Sequence, residues 1–284
     1  MKRSLMLVAV AAALTATAKP KAYVSHRGDY ADAPEGSMAA YRNAIRFGMG
    51  AVKLDVNPSK DGVTFLSHDV SLERTMGCKG RIPDMTAEEI LRHFFNYRVF
   101  GSPLWTERLV MLKQALRVLK DRIPLFWIDF KTFTPEFAEQ VLREFAEAGI
   151  GRDRLMVATD PMGGALAYMR DHHPDIPCLT HIDFMEHPDG SISASFEGKR
   201  RFKDVADLER GIVAFVERMK LRGVNMLCIP EIVTKELVAN LKAKGLIVSI
   251  AVLNSEREAE LFVGYGNDYV VTGNVRAVRP ILDR

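Results

Sequence analysis

Apolar and polar positions along this chain follow two periods that take turns. Short runs rich in Val, Ile, Leu and aromatic residues occur at 22–28, 51–57, 124–131, 155–160, 178–184, 224–230, 247–254 and 268–274, and each predicts a strand. Between them, apolar residues recur at three- and four-residue spacing. That pattern predicts helices over 35–48, 107–121, 134–148, 162–172, 204–222, 233–244 and 255–264. Gly149, Gly223 and Gly245 follow three of these segments, as a helix C-terminal stop does. Strands alternating with helices predict a parallel sheet, and eight strands are the number that closes a TIM (β/α)8 barrel. The rival, an open doubly wound sheet, wants a G-x-G-x-x-G turn after an early strand, and none follows one here.

Two stretches break the alternation. Residues 58–69 are too short for a parallel crossover, so they predict a hairpin turning at Ser59-Lys60-Asp61-Gly62. That fold-back brings His68 level with Lys53 and Asp55. Residues 70–106 then read as an excursion with a Gly77–Gly80 loop and a short helix from about Thr86 to Phe94. Together, 58–106 form an insertion over the mouth of one barrel domain, 19–284. The polar stretch 185–203 reads as a second long loop.

Chemistry enters through the alternation itself. In "GAVKLDV", residues 50–56, Val52, Leu54 and Val56 share one strand face, and Lys53 and Asp55 share the other. Two charges on an interior face call for a use. His26 and Arg27 end the first predicted strand, and His68-Asp69 ends the hairpin. Trp127, Asp129 and Lys131 line one face of the third barrel strand. All arrive at C-terminal strand ends, where TIM barrels carry their active sites. Trp127 either lines a substrate pocket or fills a barrel layer. His181 and Asp183 alternate inward on the fifth strand and are further pocket candidates. His172-His173 closes a helix, where positive side chains complement the helix dipole, and reads as structural.

This set resembles the glycerophosphodiester phosphodiesterase family of phospholipase-C-like TIM barrels. The family order H-R-G, P-E-N-T, E-x-D, K-D-G, H-D and E-x-K is matched in turn. The matching stretches are His26-Arg27-Gly28, Pro34-Glu35-Gly36-Ser37, Lys53-Leu54-Asp55, Lys60-Asp61-Gly62, His68-Asp69 and Asp129-Phe130-Lys131. The stretch 72–90 is similar to the family's arginine-threonine, glycine and threonine-glutamate segment. The resemblance implies His26 and His68 as general acid and base, and Arg27 and Lys131 as phosphate ligands. It also implies one Ca²⁺ or Mg²⁺ held by three carboxylates, a donor set such ions favour. Of those three, Asp55 matches, Asp129 is a shorter stand-in for glutamate, and Lys53 replaces the other glutamate. A protonated amine has no lone pair for a metal. The resemblance therefore leaves Asp55 and Asp129 as ligands of a weakly bound divalent cation, or of none, with Lys53 joining the phosphate site. Further departures are Gly36 for the family's asparagine, Ala251-Val252 for its tryptophan-threonine, and Gly273 for its closing aspartate.

Composition changes the picture at three points. Residues 1–18 carry Lys2 and Arg3, an apolar run from Leu5 to Leu14, and Ala16-Thr17-Ala18, the pattern of a cleaved secretory signal. They predict an exported protein, periplasmic or secreted, with no transmembrane segment in the mature chain. The three cysteines show no metal-binding spacing; free thiols are the expectation, with a Cys178–Cys228 bridge as the alternative. A net charge of +3 without a basic run gives nucleic-acid binding nothing to rest on, and the expected partner is a small phosphodiester. The readings that fit are a phosphodiesterase working with little or no metal, Lys53 in its place; a catalytically silent barrel that binds a phosphorylated ligand or a partner; and a metal-dependent enzyme whose ion is shifted toward Asp55, Asp129 and Glu35.

Overall fold

The strand Ala51–Pro58 (β2) is buried from residue 51 to residue 57, on both faces, as a parallel strand between helices must be. It pairs in parallel with Ala22–His26 (β1) on one side and with Leu125–Phe130 (β3) on the other. Parallel pairing continues through Leu155–Thr159 (β4), Cys178–Ile182 (β5), Gly223–Leu227 (β6), Ile247–Ala251 (β7) and Tyr269–Thr272 (β8), which returns to β1. The sheet is therefore a closed eight-stranded TIM barrel. The protein is seen in a computed structural model, which describes residues 19–96, 98 and 106–284. The expected secretory signal, residues 1–18, lies outside the described residues.

The helices are Met38–Arg46 (α1), Leu112–Leu119 (α2), Pro135–Glu147 (α3), Ala165–His172 (α4), Val205–Met219 (α5), Lys235–Ala243 (α6), Glu256–Leu261 (α7) and Val275–Leu282 (α8). Each begins where the pattern places a cap or an apolar stripe. Ser37, Thr134, Asp204, Thr234, Ser255 and Asn274 all accept a backbone N–H from the first turn, a cap worth about 1 kcal/mol each. In α2, Leu112, Ala115, Leu116 and Leu119 form the buried stripe, at the spacing of one helix face. The sequence reading placed no helix at α8, where Val275, Val278, Ile281 and Leu282 form the buried stripe and Pro280, a residue that disfavours a helix interior, lies within it.

The hairpin forms as predicted. Ser59 N–H donates to Val63 O at 2.9 Å, and Thr64–Leu66 pairs antiparallel with the end of β2. The short helix of the excursion is confined to Ala87–Ile90, capped by Thr86. The stretch expected as a polar loop at 185–203 instead carries a small antiparallel sheet of Phe184–Glu186, Ile192–Ala194 and Arg201–Phe202. Phe184, Ile192, Ala194, Phe196 and Phe202 supply its apolar face. Cys78, Cys178 and Cys228 are free thiols, so the bridge considered from sequence is not formed.

Side-chain alternation sorts the barrel into two cores. Val52, Leu54 and Val56 face the helices. Val24, Trp127, Met156, Ala158, Leu179 and Val271 fill the lumen. Above that apolar plug the inward positions turn polar.

Candidate active site

Local backbone geometry sets the first two residues. Arg27 has φ +55°, a left-handed conformation that costs a non-glycine residue about 1 kcal/mol or more. Its carbonyl is held by the N–H of Gly36 at 2.7 Å. Gly28, at φ +84°, passes so close to α1 that a Cβ there would lie 2.6 Å from the backbone carbon of Ala40. Gly36 itself has φ +71°, which explains its exchange with asparagine: both residues tolerate the left-handed region.

In register, His26 lies beside Lys53, Lys53 beside Trp127, and Asp55 beside Asp129. The Lys53 ammonium donates to Asp55 Oδ1 and to Asp129 Oδ2, the latter at 2.5 Å. Lys131 Nζ lies 2.7 Å from Asp129 Oδ2 and 3.5 Å from Asp55 Oδ1. Arg27 Nε approaches Asp55 Oδ2 to 3.7 Å. Lys53, Asp55 and Asp129 are all buried. Burial opposes the charge of both carboxylates, but Lys53 and Lys131 overcome it at Asp55, and Lys53, His181 and Lys131 at Asp129, holding both carboxyls below their usual range, Asp129 far below. Burial likewise opposes the charge of Lys131, yet Asp55 and Asp129 raise its affinity for the proton. Lys53 and Lys131 balance Asp55 and Asp129, while Arg27 is shared between Asp55 and Glu35.

The two histidines differ. His26 is buried, and burial first, then the charges of Arg27, Lys53, His68 and Lys131, keep it neutral well below its ordinary pKa. The half-buried His68 is also lowered, by burial first and then by Lys131 and Arg27, against the opposing pull of Asp55 and Asp69. Its Nδ1 lies 2.8 Å from Asp69 Oδ1. Arg74 Nε donates to the other Asp69 oxygen at 2.6 Å, and its Nη2 donates to Glu35 Oε1 at 2.5 Å. That same Glu35 oxygen accepts from Arg27 Nη1 at 3.0 Å.

His26, Arg27, Lys53, His68, Asp129, Lys131, His181 and Asp183 all line one cavity of about 240 Å³ at the barrel mouth. Asp160, Asn225, Ala251, Val252 and Val271 also line it. Asp55 sits just beneath. Trp127, considered for the pocket, lies outside its lining. It shares a face with Asp129 but stands one layer deeper, fully buried and edge-on to Tyr269 at 5.3 Å. Sequence reasoning missed Asp160 and Asn225, although both sit at inward positions of strands it had placed. Asn225 Nδ2 lies 2.7 Å from His181 Nδ1, and His181 Nε2 lies 3.3 Å from Asp129 Oδ2. Tyr30 and Asn254 were missed too. Tyr30 Oη lies 3.4 Å from His26 Nδ1 and accepts from Asn254 Nδ2 at 3.1 Å. A Cβ at Gly273 would come within 2.3 Å of the Tyr30 ring, so Tyr30 fills the space of the aspartate expected there.

The donor set does not fit a resident divalent cation. Asp55 Oδ2 and Asp129 Oδ1 are buried without hydrogen-bond partners, but the charge of Lys53 beside them opposes a second cation. The Lys53 ammonium lies between the two carboxylates, and Glu35 is engaged by two arginines. Among the described residues, no three His, Cys, Asp or Glu side chains are grouped to hold a metal. Asp55 and Asp129, expected as weak metal ligands, are here hydrogen-bonded to Lys53.

Residues 26–277 match the model of the glycerophosphoryl diester phosphodiesterase family. A glycerophosphodiester phosphodiesterase of Caldanaerobacter subterraneus subsp. tengcongensis is 30% identical over 139 residues, 48% of this chain and about half (56%) of that protein. One from Bacillus altitudinis is 25% identical over 252 residues, 87% of this chain and 92% of the relative. Among solved structures, an Oleispira antarctica phosphodiesterase in complex with the product sn-glycerol-3-phosphate superposes with a TM-score of 0.72 at 20% identity, covering 94% of this chain and 98% of the other. A glycerophosphodiester phosphodiesterase from Parabacteroides distasonis superposes with a TM-score of 0.69 at 14% identity, covering 94% and 98%. With its barrel, its motif order and a family match over most of its length, the chain belongs to the glycerophosphoryl diester phosphodiesterase family of phosphoric diester hydrolases.

Proposed function

We propose that this protein hydrolyses glycerophosphodiesters, or related lipid-derived phosphodiesters, by histidine acid–base catalysis with Lys53 in the place of the family's cation. The observation that carries this reading is the pair of histidines opening on one cavity beside Arg27, Lys53 and Lys131. Arg27 and Lys131 hold the phosphate oxygens. Lys53 has three N–H donors and uses two on Asp55 and Asp129, so one remains for a phosphoryl oxygen. A fixed ammonium there stabilises charge that develops in the transition state.

His26, neutral in its buried and cationic surroundings, takes a proton from the attacking water as its oxygen bonds to phosphorus. His68, backed by the Asp69 carboxylate, gives a proton to the leaving alkoxide as its bond to phosphorus breaks. The chain's products are then a phosphomonoester and a free alcohol. sn-Glycerol-3-phosphate, the product bound by the Oleispira relative, is the monoester this reading expects. The sequence of residues 1–18 supports action outside the cytoplasm, periplasmic or secreted, on a small-molecule substrate.

The test is turnover of glycerophosphodiesters in EDTA, alongside His26→Ala and His68→Ala. Activity that survives the chelator and falls at least about 100-fold in either variant supports the reading. Strict dependence on Ca²⁺ or Mg²⁺ removes the role given to Lys53. Absence of turnover on every phosphodiester favours the silent-barrel alternative. Export is tested separately by fractionating cells and sequencing the N-terminus of the mature protein.

A further inference from the structure

Arg74 lies outside the cavity lining, yet it touches both halves of the machinery. The turn that carries it, Glu73–Met76, is anchored by Leu72 and Met76, which are buried four residues apart in a satellite core with Phe65, Ile82 and Ile90. The turn ends at Gly77, whose φ of +68° lets the chain reverse. Arg74, midway between the two anchors, points away from that core. Its Nε binds Asp69, which holds His68, and its Nη2 binds Glu35, which holds Arg27. Glu35 Oε1 serves both arginines at once.

We infer that Arg74 is a positioning residue that sets the aim of His68 through Asp69 and the reach of Arg27 through Glu35. Without it, the Asp69 carboxylate loses the partner that fixes its rotamer, and the imidazole loses a stationary acceptor at Nδ1. Glu35 is left to Arg27 alone and draws the guanidinium more strongly away from an incoming phosphate. One guanidinium thus couples proton delivery to substrate binding. Its planar fork, with Nε and Nη2 directed at two separate carboxylates, is a geometry that a lysine ammonium reproduces only in part.

The inference rests on the assignment of His68 as the acid, so the experiment separates the two. Wild type, Arg74→Met, Arg74→Lys and His68→Ala are assayed on two glycerophosphodiesters, one releasing an alkyl alcohol and one releasing p-nitrophenol. An alkyl alcohol needs a proton to leave, and p-nitrophenolate does not. The expectation for His68→Ala is a kcat loss of at least about 100-fold on the alkyl substrate and a far smaller loss on the nitrophenyl one. Arg74→Met is expected to show the same bias at about one tenth of wild-type alkyl turnover, with a KM raised on both substrates; Arg74→Lys recovers part of each. A discriminating His68→Ala beside an Arg74→Met that loses both substrates equally, or neither, overturns the coupling role alone. A His68→Ala that loses both substrates equally overturns the acid assignment, and the inference with it. Unchanged thermal melting of the half-exposed Arg74 variants separates positioning from folding.

Discussion

Replacing Lys53 by methionine keeps the length of the side chain and removes its charge, so the cost reads out what that charge holds together. Asp55 and Asp129 would remain buried side by side, with Lys131 at 2.7 and 3.5 Å as their closest cation. Breaking a buried ion pair from one side costs about 3–5 kcal/mol, and the remaining Lys131 puts the expectation near the lower end, about 3 kcal/mol. For a chain of this size each kcal/mol lowers Tm by roughly 2–4 °C, so the expected drop is roughly 6–12 °C. The pH dependence gives a second handle. In the wild type both carboxyls are held below their usual range, so their contribution to stability is present above the unfolded value and is lost as pH falls through the folded one. In Lys53→Met one carboxyl is pushed above its unfolded value. That penalty is absent at low pH and grows as pH rises. The variant's deficit should therefore be larger at pH 8 than at pH 5, read by circular-dichroism melting across that range. A Tm within 2 °C of wild type at both pH values would refute the view that Lys53 neutralises a buried pair.

Three other outcomes follow from the same geometry. Lys53→Glu restores a third carboxylate beside Asp55 and Asp129 and should create a variant whose Tm rises with millimolar Ca²⁺ or Mg²⁺ and returns on EDTA; an equal rise in the wild type would contradict the reading of its donor set. Both histidines titrate below their usual value, so the kcat/KM profile should peak on the acid side of the ordinary histidine pKa of about 6.5, and an optimum above pH 8 would count against either acting as acid or base. Gly28→Ala forces a Cβ into the Ala40 backbone at a left-handed φ, and about 3 kcal/mol of destabilisation with displaced Arg27 is expected, measurable by urea denaturation and by KM.

The barrel was legible because each strand is a short apolar run that is buried on both faces, a pattern with few competing readings. The hairpin was legible from length alone, because the chain between β2 and His68 is too short for a parallel crossover. What escaped was whatever depends on partners distant in sequence. Asn225 matters because it meets His181, 44 residues away. Tyr30 matters because it meets Asn254 and Gly273, more than 220 residues away. Trp127 shows the limit of strand periodicity, which assigns a face but not a depth. It shares its face with Asp129 and stands one layer below the cavity. The small sheet at 184–202 was hidden by polar residues on its solvent side, while Phe184, Ile192 and Phe202 supplied the buried side at irregular spacing.

Exchanging glutamate for lysine at residue 53 changes the formal charge by +2, the charge of the divalent cation the family uses. A site with three carboxylates and such an ion carries −1, and so does Lys53 with Asp55 and Asp129. Under the proposed reading, Lys53 thus leaves the formal charge beside Arg27, Lys131 and His26 at the total a metal-loaded site would carry. Asp129, one methylene shorter than the glutamate it replaces, meets the long lysine side chain halfway, with His181 3.3 Å from the same oxygen. The two departures that look like decay in the sequence are thus complementary in space: a longer cationic arm on β2 and a shorter anionic one on β3. Random loss of the metal site would more readily have left an uncompensated buried charge, which folding itself would have penalised by several kcal/mol.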